Sequence, residues 1–128
     1  MRISAVENTA DDLDMLKAEL SAAFPGSHCD GFSDPLLAIK AYLESPPDFT
    51  VFCKKMRIID GFTFARTIRS HYAGFTGVML AEDDSGRRDA QNYFLEYLVK
   101  PADAATLRQL YMKWQNEKAI SDQSSGAE

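Results

Sequence analysis

The stretch FTVFCKKMRIIDGF, from Phe49 to Phe62, decides the fold prediction for this chain. Its apolar start, Phe49 to Phe52, predicts a buried strand, and Asp60-Gly61 predicts a turn that opens a helix. Cys53 lies between them, at the carboxyl end of the predicted strand. Ligands and reacting groups collect at this end of the strands in open α/β sheets. The role of this thiol is therefore the question that the sequence raises.

Strands and helices are predicted to alternate on both sides of this stretch. Further strands are expected at 3–6, 28–32, 75–80 and 97–99, with a helix after each of them. Five strands that alternate with five helices indicate an α/β fold whose parallel sheet is covered on both faces. Apolar spacing predicts four inward-facing helical stripes: Leu13, Leu16 and Leu20; Leu36, Ile39 and Leu43; Phe62, Ala65 and Ile68; and Leu107, Leu110, Tyr111 and Trp114.

The end of the chain differs in composition from the rest. After Glu117 the sequence becomes polar and rich in serine, which is typical of segments that cannot build a packed core. We expect one domain over residues 1–117 and a disordered tail or linker over residues 118–128.

Composition and charge limit the classes of function. A chain of 128 residues is long enough for one domain with its own core. The net charge of −5 opposes direct nucleic-acid binding, which needs a basic face. Apolar runs are too short for a membrane span and no signal-peptide pattern begins the chain, so a cytoplasmic location without membrane contact is expected. The two cysteines, Cys29 and Cys53, lack the spacing of a zinc site or disulfide framework.

Two motifs carry a family resemblance. MRIIDG at residues 56–61 and YLVKP at residues 97–101 resemble the receiver domain of two-component response regulators, the CheY-like superfamily, over roughly residues 1–115. An arginine in place of the proline of D-x-x-M-P-x-M-D-G is similar to receivers of LytTR-type transcriptional regulators. The resemblance implies a flavodoxin-like, three-layer α/β/α fold with a five-stranded parallel sheet in the order 2-1-3-4-5.

The resemblance also assigns positions, and the reactive ones are changed. Cys53 falls at the phosphoacceptor aspartate, and Glu7-Asn8 fall at the acidic pair that holds magnesium. Ala81 falls at the serine or threonine that senses the phosphoryl group. The retained receiver positions are Lys100 (the family's lysine), Pro101 (its proline), Tyr97 (its aromatic switch residue) and Asp60-Gly61 (its turn).

The changed positions predict a loss of phosphorylation chemistry. Phosphoryl transfer to a carboxylate needs an oxygen nucleophile and a hard cation on oxygen ligands, and a thiol suits Mg²⁺ poorly. Lys100 is expected to pair directly with Glu7. We therefore predict a pseudo-receiver that is not switched by aspartyl phosphorylation, binds Mg²⁺ weakly or not at all, and has no cofactor and no enzyme activity. Ala81 leaves room for the Tyr97 ring, which is expected to be locked inward.

A domain of this kind is expected to act through contacts in two-component (phosphorelay) signalling. The resemblance implies a protein partner or a second copy bound to the face made by the fourth helix, fifth strand and fifth helix. It also implies a role as the regulatory part of a transcriptional regulator, with a C-terminal DNA-binding domain in a longer parent chain.

Three alternatives remain open at the same site. Cys53 could be a redox sensor, since a nearby Lys100 would lower the pKa of the thiol, although a small half-buried residue in a vacated site is the simpler interpretation. A metal site could combine Glu7, Asn8 and Cys53 with His28 or Asp83. Asp60 could accept phosphate instead, but as a helix cap it is expected to point away from Lys100.

Overall fold

Strands and helices alternate along the chain, as the sequence predicts. The structure, a computed structural model, describes residues 1–93 and 95–126, with the side chains of this range except those at 114 and 117–126. The strands are β1 (Arg2–Val6), β2 (His28–Phe32), β3 (Phe49–Cys53), β4 (Gly77–Ala81) and β5 (Glu96–Val99). The helices are α1 (Ala10–Ala23), α2 (Pro35–Glu44), α3 (Gly61–His71), α4 (Arg87–Asn92) and α5 (Ala104–Gly126).

The five strands form one parallel sheet in the order β2-β1-β3-β4-β5. This confirms the predicted flavodoxin-like topology. The register places Val6 between Phe32 and Phe52, and Cys53 beside Leu80. Because all strands run the same way, the residues that follow β1, β3, β4 and β5 meet at one edge of the sheet.

Alternating side chains divide the core between the two faces of the sheet. Val6, Phe52 and Met79 lie in a buried cluster with residues of α2, α3 and α4. The intervening Ala5, Val51 and Leu80 lie in a second cluster with residues of α1 and α5. Successive side chains of a strand point to opposite faces, so each strand contributes to both clusters and the fold has three layers.

The inward face of α2 differs from the predicted one. Leu36 and Leu43 are exposed, while Ala38 and Tyr42 are buried with Ile39. The sequence of this helix, PLLAIKAYLE, is apolar almost all round, so two stripes with helical spacing are available in it. Packing selects the stripe that begins at Pro35, which the spacing alone does not distinguish from the predicted one.

Smaller differences concern the starts of elements and one aromatic residue. In α3 the buried aromatic is Phe64, and Phe62 packs at the edge of the core. β4 begins at Gly77 rather than Phe75, although Phe75 is itself buried. α4 begins at Arg87, whereas the sequence predicts that this short helix starts near Asp89.

The last helix is longer than its predicted end near Glu117. α5 continues to Gly126, and no Pro or Gly interrupts the sequence between Ala104 and Ser125. Leu107 is buried, and Leu110 and Tyr111 pack against the core as predicted; the side chain of Trp114 lies outside the described part. The division into a domain of residues 1–117 and a tail of 118–128 stays a prediction. No helix in the described ranges is long and apolar enough to cross a membrane.

Candidate functional site

Three predicted site residues meet at the carboxyl edge of the sheet. Glu7 follows β1, Cys53 ends β3, and Lys100 follows β5. The Cys53 thiol donates a hydrogen bond to Glu7 Oε1. Lys100 Nζ lies 3.2 Å from Glu7 Oε2 and 3.5 Å from the exposed Glu82 carboxylate. The lysine is therefore paired with carboxylates of its own chain.

Burial controls the charge state of this group. Glu7 is 4% exposed and Cys53 is 2% exposed. Burial, together with the hydrogen bond to Glu7 and the charge of that carboxylate, raises the pKa of Cys53 to about 12, although Lys100 acts in the opposite direction. Burial alone would lower the pKa of Lys100, but the neighbouring Cys53 and Glu7 raise it above its ordinary value. The site therefore holds a neutral thiol beside a carboxylate–ammonium pair at neutral pH.

Asn8 turns away from this pair and binds the loop of residues 54–60, the β3–α3 loop. Its Nδ2 donates to the Lys55 carbonyl at 2.7 Å, and its Oδ1 accepts from the Arg57 N–H at 3.2 Å. The Arg57 guanidinium donates to the Asn8 carbonyl at 2.8 Å. We call Glu7, Asn8, Cys53 and Lys100 together the acceptor corner. The sequence located these four residues but not the contacts of Asn8.

A small cavity of about 120 Å³ opens beside the acceptor corner. Asn8, Cys53 and Lys100 line it together with Ala81 and Lys54. Ala81 is buried at the end of β4 and presents no hydroxyl to this space. The side chains of Asn8, Cys53, Lys54 and Lys100 that line it each already have a partner within the chain.

Tyr97 lies inside the domain, in the position expected for a locked ring. It is 4% exposed and packs in the same buried cluster as Ala81. Its hydroxyl donates to the Asp83 carbonyl and accepts from the Gly86 N–H at 3.2 Å. Both partners belong to the loop of residues 82–86, the β4–α4 loop. The ring and the loop therefore hold each other in place.

Two basic side chains add further contacts to this arrangement. Neither was predicted from the sequence to be a site residue. The Arg87 guanidinium lies over the Tyr97 ring, 5.1 Å from its centroid, and donates to the Tyr97 carbonyl at 3.1 Å. Lys54 Nζ donates to Ser85 Oγ at 3.3 Å. We call Ala81, residues 82–86, Arg87 and Tyr97 the readout corner. Its contacts depend on loop conformation, for which the sequence carries no periodic signal.

The remaining predicted positions have structural roles. Asp60 caps α3, and its Oδ1 accepts from the Thr63 N–H at 2.7 Å. Gly61 is required by close approach, because a Cβ there would lie 2.6 Å from the Cys53 carbonyl oxygen. Lys100 and Pro101 are joined by a cis peptide bond. Asp60 therefore caps a helix, as expected from the sequence, and this role was the reason for discounting Asp60 as a phosphate acceptor.

The alternative metal site that includes His28 is wrong, because His28 lies too far from the other proposed ligands. His28 begins β2 and pairs with Asp30 at 2.8 Å, at the end of the strand opposite to Glu7. Asp83 does line the cavity, but its carboxylate accepts from the N–H and hydroxyl of Ser85. Among the side chains that the structure describes, no group of three or more His, Cys, Asp or Glu is arranged to hold a metal ion.

Comparison with known proteins supports the fold through structure alone. No protein-family model matches the chain, and no curated protein matches its sequence. Solved receiver domains do match. One from Clostridium thermocellum has a TM-score of 0.79 and 19% identity, covering 93% of this chain and 97% of its own.

Two further matching structures contain magnesium. The response regulator TrrA of Thermotoga maritima, in complex with Mg²⁺ and BeF, has a TM-score of 0.77 and 24% identity, covering 88% of this chain and 96% of its own. The receiver domain of a Pseudomonas aeruginosa sensor histidine kinase, with magnesium coordinated in its active-site cleft, has a TM-score of 0.76 and 19% identity, covering 88% and 95%. The chain thus has the CheY-like fold of these receiver domains.

Proposed function

We propose that this chain is a receiver-like signalling module of the two-component type that is not switched by aspartyl phosphorylation and acts through protein contacts. The observation that carries the proposal is the closed group of Glu7, Cys53 and Lys100. Its carboxylate, thiol and ammonium are hydrogen-bonded or ion-paired with one another. A site built for phosphoryl capture keeps its nucleophile and its cation ligands available to the substrate.

Capture fails for two physical reasons. A thiol with a pKa near 12 is protonated at neutral pH and offers neither an oxygen nucleophile nor a thiolate. Mg²⁺ prefers several hard oxygen ligands and keeps part of its water shell. The acceptor corner supplies one carboxylate, already paired with Lys100, so the residues present do not fit the magnesium that the Thermotoga and Pseudomonas structures contain.

The conformational response to a phosphoryl group also lacks the side chain that would start it. With Ala81 at the end of β4, no side-chain hydroxyl at that position can follow a bound phosphoryl group. Tyr97 is instead held inward by two hydrogen bonds to the β4–α4 loop. The domain therefore presents one surface at all times, in place of two that alternate.

We place partner binding on the face formed by α4, β5 and α5. Val99 and Met112 are exposed apolar side chains of β5 and α5, which suits a contact surface. The partner is another protein or a second copy of this chain. A longer parent protein with a C-terminal DNA-binding domain would make the module part of a transcriptional regulator, in keeping with the arginine variant of the MRIIDG motif.

The redox alternative has less support. A raised pKa makes Cys53 a poor thiolate, and its side chain is buried. Cys29 lies on β2, which is separated from β3 by β1, and it is in register with Phe49, four residues before Cys53. Two strand spacings and four residues of strand put the two cysteines roughly 16 Å apart. This separation exceeds the reach of a disulfide.

The direct test is incubation with acetyl phosphate and Mg²⁺, followed by intact mass spectrometry. We expect no mass gain of one phosphate and no magnesium-dependent change in tyrosine or tryptophan fluorescence. Hydroxylamine treatment serves as a control, because it removes acyl phosphates. An acid-stable, hydroxylamine-sensitive gain of one phosphate on the wild-type chain would refute the proposal.

A further inference from the structure

We infer that the Asn8 side-chain amide takes the place of a bridging divalent cation, fixing the β3–α3 loop to the β1–α1 turn without metal. The inference rests on the proposed function, because it names what stabilises the phosphorylation-independent site. Asn8 would then be a positioning residue whose Nδ2 and Oδ1 atoms make the contacts that a bound cation would otherwise make between the two segments.

The geometry of the amide supports this role. Nδ2 donates to the Lys55 carbonyl and Oδ1 accepts from the Arg57 N–H, at 2.7 Å and 3.2 Å. These two partners fix the orientation of the amide, since only Nδ2 has hydrogens to give to a carbonyl. A third bond, from the Arg57 guanidinium to the Asn8 carbonyl, joins the same two segments at 2.8 Å. The loop is thus held by one residue at both its carbonyl and its N–H groups.

The loop needs such support because of its backbone. Ile58 has a φ of 75° and its side chain is 70% exposed. A β-branched residue rarely adopts this left-handed conformation, which is sterically unfavourable for it. No burial of the side chain offsets that cost. Two backbone hydrogen bonds close the turn, from the Ile59 N–H to the Arg57 carbonyl at 2.9 Å and from the Gly61 N–H to the Lys54 carbonyl at 2.7 Å. The hydrogen bonds of Asn8 to the preceding residues, Lys55 and Arg57, fix this turn to the β1–α1 turn.

The same amide excludes a cation. Its N–H hydrogens point at the Lys55 carbonyl oxygen, so they already provide the positive partial charge that a metal ion would bring to that oxygen. The adjoining Glu7 is paired with Lys100 and hydrogen-bonded to Cys53. Amide and cation are therefore alternatives at this position.

The test replaces Asn8 by its isosteric acid. Asn8→Asp loses the donor to Lys55 and gains a hard anionic ligand beside Glu7. In EDTA we expect its Tm to fall by about 5 °C. Addition of about 10 mM MgCl₂ should restore most of that loss in the variant and leave the wild-type Tm unchanged.

Three further variants distinguish a loss of loop stability from the replacement of a cation by the amide. Asn116→Asp, an exposed change on α5, should behave like wild type in both buffers. Asn8→Ala should lose as much Tm as Asn8→Asp but gain nothing from MgCl₂, since it adds no carboxylate. If Asn8→Asp is too unstable to study alone, Ile58→Gly, which removes the left-handed strain, provides a more stable background for the same comparison.

The outcomes are distinct. A wild-type Tm that rises with MgCl₂ as much as that of Asn8→Asp would overturn the inference. So would an Asn8→Asp variant that keeps the wild-type Tm in EDTA, or one that loses stability without recovering it in MgCl₂. None of these results depends on phosphate transfer, so the acetyl phosphate experiment decides the proposed function separately.

Discussion

The acceptor corner and the readout corner lie at the same edge of the sheet but are stabilised by different means. In the acceptor corner, the buried Glu7 is held by side chains, through the Lys100–Glu7 ion pair and the Cys53–Glu7 hydrogen bond. In the readout corner, side chains bind backbone, since the Tyr97 hydroxyl bonds to the β4–α4 loop and the Arg87 guanidinium to the Tyr97 carbonyl on β5. Because the Tyr97 contacts do not involve Glu7 or Cys53, we expect chemistry and conformation to be altered largely separately, although the Lys100–Glu82 ion pair joins the two corners.

The largest effect is expected from restoring the missing ligands. The double variant Cys53→Asp with Asn8→Asp supplies three carboxylates with Glu7, beside the retained Lys100. We expect acetyl phosphate labelling in MgCl₂ to rise from background to a readily measured fraction by intact mass. Tyr97 should stay inward in this variant, because its partners lie outside the acceptor corner. If labelling changed the exposure of Tyr97, the two corners would be coupled and the comparison would fail.

The next effect concerns the ion pair. Lys100→Met leaves the Glu7 carboxylate buried without its cation, and breaking such a pair costs about 3 kcal/mol of unfolding free energy. Urea denaturation at pH 7 measures the loss. Lys113→Met is the matched control, because Lys113 is more exposed and lies 3.6 Å from Glu96 at the surface, where an ion pair is worth less than about 1 kcal/mol. Equal losses in the two variants would show that burial does not distinguish the acceptor corner.

A smaller effect should appear as a pH dependence of stability. The pKa of Cys53 is raised from 9.0 to about 12 by burial and by Glu7. Below pH 9 the folded and unfolded chains both keep this proton. Between pH 9 and 12 the unfolded chain releases it first, so the unfolding free energy falls by up to roughly 1.4 kcal/mol per pH unit.

Cys53→Ala should remove the part of that slope that belongs to Cys53 and leave the part that belongs to Cys29, whose pKa burial also raises from 9.0. The cleanest window is pH 9 to 10, since Tyr42, whose pKa burial raises from 10.0 to about 12, adds its own slope at higher pH. Urea midpoints of the wild type and the variant, measured at pH 8, 9 and 10, make the comparison. Parallel curves for the two chains would mean that the thiol is not protected in the folded state.

The smallest effect belongs to the readout corner. Tyr97→Phe removes a hydroxyl that bonds to the Asp83 carbonyl and the Gly86 N–H, and should cost about 1 kcal/mol. Faster hydrogen exchange of the Gly86 amide would report the loosened β4–α4 loop. Tyr72→Phe, in a half-exposed tyrosine whose ring meets that of Tyr42 edge to face, is the control and should leave that amide unchanged. An unchanged Gly86 amide in Tyr97→Phe would mean that the ring does not hold the loop.

The sequence located the acceptor corner because its residues follow strand ends. Glu7, Cys53 and Lys100 each come directly at or after an apolar run, and parallel strands bring such positions together. The contacts of Asn8 and Arg87 could not be predicted in this way, because they depend on the conformation of loops that carry no periodic pattern. The prediction of the inward face of α2 failed for the opposite reason. This helix is almost wholly apolar, so more than one set of its residues has the spacing of a buried stripe.

The pairing of Glu7 with Lys100 has an electrostatic consequence beyond the site. Opposite charges 3.2 Å apart act from a distance as a dipole, whose potential decays faster than that of a single charge. A cluster of bare carboxylates would draw dissolved cations from several ångströms away by its field. The paired Glu7 adds little long-range attraction of this kind to the edge of the sheet, so encounters with Glu7 itself depend on shape and short-range contact.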